Sequence, residues 1–186
     1  MSAVPEIKID GEENVVNRPI GVRFSAAQLE RARSRAESLG QLNRSFTKGR
    51  SNIYGMLGEE IVANFVAGTI ADTYDYDIVD PTGLKIDVKT KKTTSCEAPA
   101  AHFTATVWGG NTKQRCDAYV FVRVCTDLDK RLAWICGWMP KDEFYGTAVE
   151  YKRGQVDKEN GYKVHADCWN VRIDRLHRLE EFDPWV

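Results

Sequence analysis

Charged and β-branched apolar residues alternate in the segment 85–90, which reads KIDVKT. This period of two predicts a half-buried strand, because side chains two residues apart project from the same face. Asp87 and Lys89 are therefore expected side by side on one face, with Ile86 and Val88 packed on the other. The segment thus predicts a strand that presents a carboxylate and an ammonium group together.

A carboxylate and an ammonium directed at one point suit phosphodiester hydrolysis. The acid can hold a hard metal ion, and the lysine can orient water or offset charge on the phosphate. An Asp-x-Lys motif by itself occurs by chance in many chains, so the surrounding sequence decides whether this interpretation holds.

A hairpin is predicted around the motif. Residues 73–79 (TYDYDIV) form another strand-like segment, and the tetrapeptide 80–83 (DPTG) separates it from the motif. Its proline suits the first corner of a type I turn, and its glycine suits the left-handed conformation that follows. A three-residue loop then places Asp77 opposite Asp87, whereas a two-residue loop shifts the register by one and turns Asp77 to the other face.

This register has a chemical consequence. Directly opposed residues have Cβ atoms roughly 4.5–5.5 Å apart, and two carboxylates that close repel each other unless a cation lies between them. Asp77 and Asp87 therefore indicate a metal site. The same register puts Asp75 opposite Lys89, and the alternative interpretation is an ordinary pair of charged, solvent-facing strands.

A third acid precedes the hairpin on a predicted helix. In residues 55–66 the apolar side chains form one broad arc at about 100° per residue. Glu59 lies at the edge of that arc and is expected to reach into the protein. Glu60 falls in the polar gap beside Asn64 and is expected to face water. Two glycines one turn apart, Gly55 and Gly58, predict close approach of this helix to another element or to a ligand.

Together these residues resemble the PD-(D/E)xK, or restriction-endonuclease-like, nuclease superfamily. The resemblance covers residues 50–125 and depends on Gly55, Gly58 and Glu59, then Asp77, then Asp87 and Lys89. Tyr76 stands where the superfamily pattern often has proline, which leaves the choice between Asp75 and Asp77 as metal ligand open. The alternation around the hairpin also looks like small phage-encoded members.

The resemblance implies an α/β fold, with a restriction-endonuclease-like core in which a mixed central β-sheet is flanked by helices. It implies a Mg²⁺- or Mn²⁺-dependent deoxyribonuclease, expected to act as an endonuclease. The metal ligands would be Asp77, Asp87, the backbone carbonyl of Val88 and Glu59, and Lys89 would position the attacking water. A catalytically silent module of the same fold, binding DNA or protein, is the alternative, and homodimerisation stays open.

Basic side chains near these residues predict DNA contacts that grip the backbone without reading sequence. They are Arg44, Lys48, Arg50, Lys91 and Lys92. The net charge of −1 excludes a general nucleic-acid coat protein but not a nuclease with a local basic surface.

Length and composition predict one domain over residues 20–186 after a partly ordered segment, 1–19. The sequence has no stretch of 18 apolar residues and no signal-peptide pattern at its start, so a cytoplasmic protein is expected. If the gene is phage-encoded, this is the host cytoplasm. The five cysteines are expected to be reduced. A structural Zn²⁺ is a minority hypothesis; its candidate ligands are Cys96, His102, Cys116, His165 and Cys168.

Patterning elsewhere predicts the remaining elements. A helix is expected over residues 25–40, capped by Ser25 and stopped by Gly40, with a solvated arginine face. Pro140 is expected to open a short helix. Strands are expected over residues 102–108, 117–125, 131–138 and 164–169, the second of them buried on both faces.

Overall fold

The structure, a computed structural model, describes residues 18–42, 52–71 and 73–179. Nearly all of the predicted N-terminal segment 1–19 lies outside these ranges. The same holds for three of the predicted DNA contacts, Arg44, Lys48 and Arg50. Among the described helices, none is both long and apolar enough to cross a membrane.

The described residues form nine strands and three α-helices. The strands are β1 (Ile20–Arg23), β2 (Thr69–Ile70), β3 (Ile78–Val79), β4 (Lys85–Thr93), β5 (Thr104–Trp108), β6 (Ala118–Cys125), β7 (Leu132–Pro140), β8 (Val149–Tyr151) and β9 (Cys168–Arg172). The helices are α1 (Ala26–Leu42), α2 (Asn52–Phe65) and α3 (Lys141–Thr147). Short 3₁₀ turns follow β5, β6 and β9.

Six strands form a mixed sheet in the order β1-β7-β6-β4-β3-β2. Only β4 and β6 run parallel, and the other neighbours are antiparallel. The prediction of a central strand buried on both faces is confirmed, because β6 lies between β4 and β7 and nearly all of its side chains are buried. The protein is therefore a mixed α/β fold whose mixed sheet is flanked by helices.

Alternation along β4 and β6 separates two apolar layers. On one face, Ile86 and Val88 pack with Leu57 and Ile61 of α2. On the other face, Tyr119 and neighbouring aromatic residues pack with α3 and a second sheet of order β5-β9-β8. Each fully buried apolar side chain contributes about 1.5–3 kcal/mol to folding, so both layers hold β4 firmly in the sheet.

Helix α2 approaches β4 closely, as the paired glycines predicted. A Cβ atom on Gly58 would lie 2.0 Å from Thr90 Oγ1, so only glycine fits at this contact. No atom of the described residues lies within 4 Å of the corresponding point on Gly55, so its predicted contact is not found among them. Because Gly58 lies against Thr90, this contact sets how close the next residue, Glu59, comes to the sheet.

Helix α1 begins as predicted and ends later than predicted. The Ser25 hydroxyl accepts a hydrogen bond from the Gln28 amide at 3.1 Å, and the Gln28 side chain accepts one from the Ser25 amide at 2.8 Å. These reciprocal bonds form a capping box. Gly40 does not stop the helix, which continues to Leu42; a single glycine costs a helix only about 1 kcal/mol.

Two predicted strands differ from the observed ones. In the segment 73–79 only Ile78 and Val79 are in a strand, and the residues before them follow a bend held by Thr73 Oγ1, which accepts from the Tyr76 amide at 3.1 Å. The predicted edge strand 164–169 begins four residues later, at Cys168. It is the middle strand of the second sheet, a position that local patterning does not reveal.

Candidate functional site

The turn between β3 and β4 is the predicted three-residue loop. Gly83 has φ +94°, and Asp80 and Leu84 face each other with a 3.0 Å hydrogen bond from the Asp80 amide. The Asp80 carboxylate accepts from the Thr82 amide at 2.8 Å and the Leu84 amide at 2.9 Å, which holds the loop. The register Ile78↔Ile86 follows, as predicted.

Asp77 lies one residue outside this ladder. Its side-chain carboxylate takes the place of the backbone carbonyl that a neighbouring strand would offer to β4. Its Oδ2 accepts a hydrogen bond from the Val88 amide at 2.7 Å. Lys85 and Thr93 direct their carbonyls to the β6 side, where each accepts a backbone hydrogen bond. By alternation, the amide and carbonyl of Val88 point to the opposite side, toward Asp77. β3 pairs with β4 only as far as Ile86, so the edge of β4 beyond that residue is open on this side. The Val88 carbonyl therefore lies at this open edge, beside the Asp77 carboxylate.

Asp87 and Lys89 share one face of β4, as the alternation predicted. The Lys89 ammonium forms an ion pair with Asp87 Oδ1, and Asp87 is only 2% exposed. Despite this pair, Oδ1 has no hydrogen-bond donor of suitable geometry among the described residues. Lys89 also lies 5.5 Å from the centre of the Tyr119 ring, a cation–π distance.

Gln114 joins the acid and the lysine. Its Nε2 donates to Asp87 Oδ2 at 2.6 Å, and its Oε1 accepts from Lys89 Nζ at 3.1 Å. The same amide nitrogen donates to the Tyr74 carbonyl at 3.0 Å, and Lys141 Nζ donates to the Gln114 backbone carbonyl. Gln114 therefore positions both charged groups of the motif, although no local pattern in the sequence marks it.

The two aspartates interact electrostatically. Burial first, and then the negative charges of Asp87 and Glu59, raise the pKa of Asp77 to about 8, while the hydrogen bond from the Val88 amide and the charge of Lys89 lower it. A carboxyl with such a pKa binds a proton near neutrality when no cation is present. The crowding of acidic charge that the register predicted is thus found at Asp77.

Glu59 reaches into the protein, as predicted, but comes from the other layer. Helix α2 packs on the face of β4 opposite Asp87. Glu59 Oε2 accepts a hydrogen bond from Arg35 Nη2 of α1 at 2.6 Å. Its charge still acts on Asp77. Asp77 and Asp87 therefore interact at the motif, whereas Glu59 acts on Asp77 from the α2 layer and is held in an ion pair with Arg35.

The prediction that Glu60 faces water is wrong. Its side chain is almost completely buried, and Oε2 accepts from Arg31 Nε at 2.8 Å, with Arg35 close to the other oxygen at 3.8 Å. The polar gap of α2 is covered by α1, and the arginines predicted to be solvated supply the partners. Gln28 Nε2 adds a hydrogen bond to the Glu60 carbonyl at 3.2 Å.

We therefore expect Glu60→Ala to destabilise the fold by about 2 kcal/mol, because it leaves the half-buried Arg35 guanidinium without one acidic neighbour. The free energy of unfolding from urea titration measures this. Glu30→Ala is the matched control, since Glu30 is exposed and lies 3.8 Å from Arg33; its effect should stay within about 0.5 kcal/mol. Equal effects of the two substitutions would contradict the role of Glu60 in joining α1 to α2.

Asp75 is not opposite Lys89, contrary to the predicted register. The bend before β3 turns it outward, where its carboxylate accepts from the Arg115 guanidinium at 2.9 Å and the Arg115 amide at 3.2 Å. The side-chain hydrogen bond from Arg115 lowers the pKa of Asp75. Of the two aspartates left open by the sequence, Asp77 is the one whose charge is coupled to Asp87.

The two remaining predicted DNA contacts differ in exposure. Lys92 is exposed, with its ammonium 5.4 Å from the Tyr54 ring centre. Lys91 is half-buried on the same face of β4 as Asp87 and Lys89, and its ammonium donates to the Thr104 carbonyl at 3.0 Å. Lys91 therefore does not project freely from the surface.

The described residues contain no group of three or more His, Cys, Asp and Glu side chains arranged to hold a metal ion. Among the zinc candidates, Cys116 packs in the aromatic layer and Cys168 in a separate small cluster with Tyr151. The five cysteines are free thiols.

No protein-family model matches the sequence, and no curated protein is significantly similar to it. The functional interpretation therefore depends on the arrangement of Asp77, Asp87, Lys89 and Gln114 described above.

Proposed function

We propose that this protein is a metal-dependent nuclease that hydrolyses DNA phosphodiester bonds as an endonuclease. The observation that carries the proposal is the crowding of Asp77 and Asp87 beside Lys89 at the open edge of β4. Crowded carboxylates on a rigid strand pair favour a divalent cation, and an adjacent ammonium favours a phosphate.

The donor set suits Mg²⁺ or Mn²⁺, which prefer oxygen ligands. Asp87 Oδ1 is buried and pairs with the Lys89 ammonium without good hydrogen-bond geometry. Within the described ranges, the hydrogen bond that Asp77 accepts goes to its Oδ2, which leaves its Oδ1 without a donor there. The Val88 carbonyl points to the same edge. These three oxygens would hold the ion, and Glu59 would take a second ion or a metal-bound water if its pair with Arg35 opened.

A bound divalent ion would supply Lewis-acid stabilisation of the charge that develops on the phosphate. Side chains of the protein position the water, the phosphate and the metal ligand. Lys89 orients the attacking water and offsets negative charge on the phosphate oxygens. Gln114, a positioning residue, fixes the direction of the Asp87 carboxylate and of the Lys89 ammonium through one side-chain amide.

The order of elements gives partial support to a restriction-endonuclease-like core. Helix α2 precedes the antiparallel strands β2, β3 and β4, and a parallel strand, β6, follows. The superfamily pattern has a helix before that last strand. Here β5 and a 3₁₀ turn make the connection instead. The acid–lysine pair occupies the same place on the third strand as in the superfamily pattern.

Cleavage of supercoiled, linear, single-stranded and branched DNA with Mn²⁺ or Mg²⁺ tests the proposal, with chelator as the blank. Lys89→Gln is expected to lower the cleavage rate by about 10²-fold or more, because it removes the positive charge beside the phosphate. Lys85→Gln is the matched control on the same strand, where the ammonium is exposed over Tyr76; its rate should be close to wild type. No metal-dependent cleavage of any of these DNAs would contradict the proposal.

A binding module without hydrolysis is the second candidate. Its support is the ion pairing of Asp87 with Lys89 and of Glu59 with Arg35, which satisfies two of the acids without a metal. Thermal melting with Mg²⁺ separates the candidates, since an ion bound only by the native state raises the melting temperature. A rise with Mg²⁺ favours the nuclease, and an unchanged melting temperature favours the module.

A further inference from the structure

A cavity of about 620 Å³ lies between the C-terminal half of β4 and the second sheet. This volume is in the range of small-molecule sites. Its floor carries Lys91 and Arg123, which are register partners on the parallel strands β4 and β6. Aromatic residues line its walls, among them Phe103, Trp108 and Tyr162.

Among the residues that the structure describes, the two cations on the floor have no acidic partner at ion-pair distance. Lys91 Nζ and Arg123 Nη2 both donate to one carbonyl oxygen, that of Thr104, at 3.0 and 3.2 Å. Within the described ranges neither forms an ion pair with a carboxylate. Burial, and next the charge of Arg123, lower the pKa of Lys91 to about 8. A bound anion would relieve this repulsion.

Asp157, an acid that lines the cavity, already accepts hydrogen bonds from other residues. Asp157 is 1% exposed and accepts hydrogen bonds from Tyr151 Oη at 3.1 Å and Asn170 Nδ2 at 2.7 Å. Asn160 Nδ2 and the Glu159 amide also donate to it. Its charge offsets only part of the effect of burial on Lys91. Asp157 therefore orders the cavity wall and leaves the floor positive.

An exposed aromatic ring lines the cavity. Trp108 is 56% exposed, and its ring lies directly over Gly110. A Cβ atom at Gly110 would lie 2.2 Å from the indole, so glycine is required for this ring position. Tyr162, 58% exposed, lines the same cavity. Exposed aromatic faces next to cations are typical of nucleic-acid base stacking.

We propose that this cavity binds one nucleotide unit of a nucleic-acid strand, with its phosphate on Lys91 and Arg123 and its base stacked on Trp108. Asp87, Lys89 and Lys91 follow one another on one face of β4, so the cavity floor lies roughly 13 Å from the candidate metal site by strand rise. The choice of a strand rests on the proposed function. A free nucleotide has the same chemistry, and the experiment distinguishes the two.

Calorimetric titration of the full chain in EDTA tests the proposal, because no metal-dependent cleavage interferes. The probes are deoxynucleoside 5′-monophosphates, the matching nucleosides and a single-stranded pentanucleotide. We expect monophosphates to bind at least about tenfold more tightly than nucleosides, and the pentanucleotide more tightly than either. Trp108→Ala and Lys91→Gln should each weaken binding about tenfold.

Two further variants test whether the position of the Trp108 ring, rather than a general loss of charge, determines the affinity. Gly110→Ala should weaken binding like Trp108→Ala, because it displaces the ring without removing it. Arg33→Gln, which removes an exposed charge from α1 on the other face of the main sheet, should leave the affinity unchanged. Circular dichroism confirms that each variant is folded.

Several results would overturn the proposal. These are no saturable binding of monophosphate or pentanucleotide, nucleosides that bind as well as monophosphates, or unchanged affinity in Trp108→Ala. Tighter binding of the monophosphate than of the pentanucleotide would assign the cavity to a free nucleotide and refute the strand. Asp87→Asn keeps the cavity intact, so binding by that variant is scored separately from cleavage, and either proposal can fail alone.

Discussion

Asp87→Asn is expected to abolish metal-dependent DNA cleavage, with a loss on the order of 10³-fold, while the fold remains intact. The substitution removes the negative charge of a carboxylate that is 2% exposed and aimed at the site. Loss of one preorganised charged or hydrogen-bonding group at a reacting phosphate costs about 10²–10³ in rate, and loss of the metal adds to this. The fold should survive because asparagine has the same shape and its carbonyl can still accept from Gln114.

The rate of plasmid nicking with Mn²⁺, compared with the wild-type rate at equal protein concentration, measures this effect. Asp87→Ala should be equally inactive, and circular dichroism reports whether either variant is folded. Asp129→Asn is the matched control, because Asp129 is exposed in the turn after β6. Cleavage at the wild-type rate by a folded Asp87→Asn protein would remove Asp87 from the metal site and with it the nuclease assignment.

The part of the site that lies within one hairpin could be predicted from the sequence. The shared face of Asp87 and Lys89 follows from the period of two, and the register follows from a proline and a glycine in a short loop. Both are local properties of fewer than 20 residues. The bend before β3 is also local, but the alternation of residues 73–79 concealed it and suggested a longer strand.

Other features depend on contacts between distant segments. Gln114 joins the site across 27 residues from Asp87, and no local pattern distinguishes it from other polar residues in the turn before β6. Glu60 lies in the polar gap of α2, yet Arg31, 29 residues earlier, covers it. Helix periodicity identifies which residues share a face but does not show whether another helix will bury that face with ion pairs.

The second sheet also depends on contacts between distant segments, so local patterning does not predict it. β9 pairs with β5 across more than 60 residues, as the pair Thr106↔Asn170 shows. The cavity that holds Lys91 exists only because this sheet lies beside β4. Lys91 was predicted as a DNA contact from its charge and position, whereas its burial depends on a layer that local patterning does not reveal.

Asp77→Asn is expected to stabilise the metal-free protein at pH 8, by an amount on the order of 3 kcal/mol. Burial first, and then the charges of Asp87 and Glu59, raise the pKa of Asp77 to about 8. A carboxyl whose pKa is higher in the folded state contributes stability that is full below about pH 4. That contribution is lost as the pH rises from about 4 to about 8, because the Asp77 carboxyl ionises at a lower pH in the unfolded chain than in the folded protein. Asparagine stays neutral at every pH and so avoids this loss.

The free energy of unfolding in EDTA, measured from pH 4 to pH 8, tests the prediction. The wild-type protein should lose stability over this window, and Asp77→Asn should show a much flatter profile. Asp75→Asn is the matched control: its partner Arg115 lowers the pKa of Asp75, so its loss should not stabilise the protein at pH 8. Mg²⁺ should restore wild-type stability at pH 8 and do little for Asp77→Asn, because the ion relieves the same repulsion that asparagine removes. A folded Asp77→Asn protein with the wild-type pH profile would mean that Asp77 is already ionised without a cation, and the charge crowding that supports a metal site would then be absent.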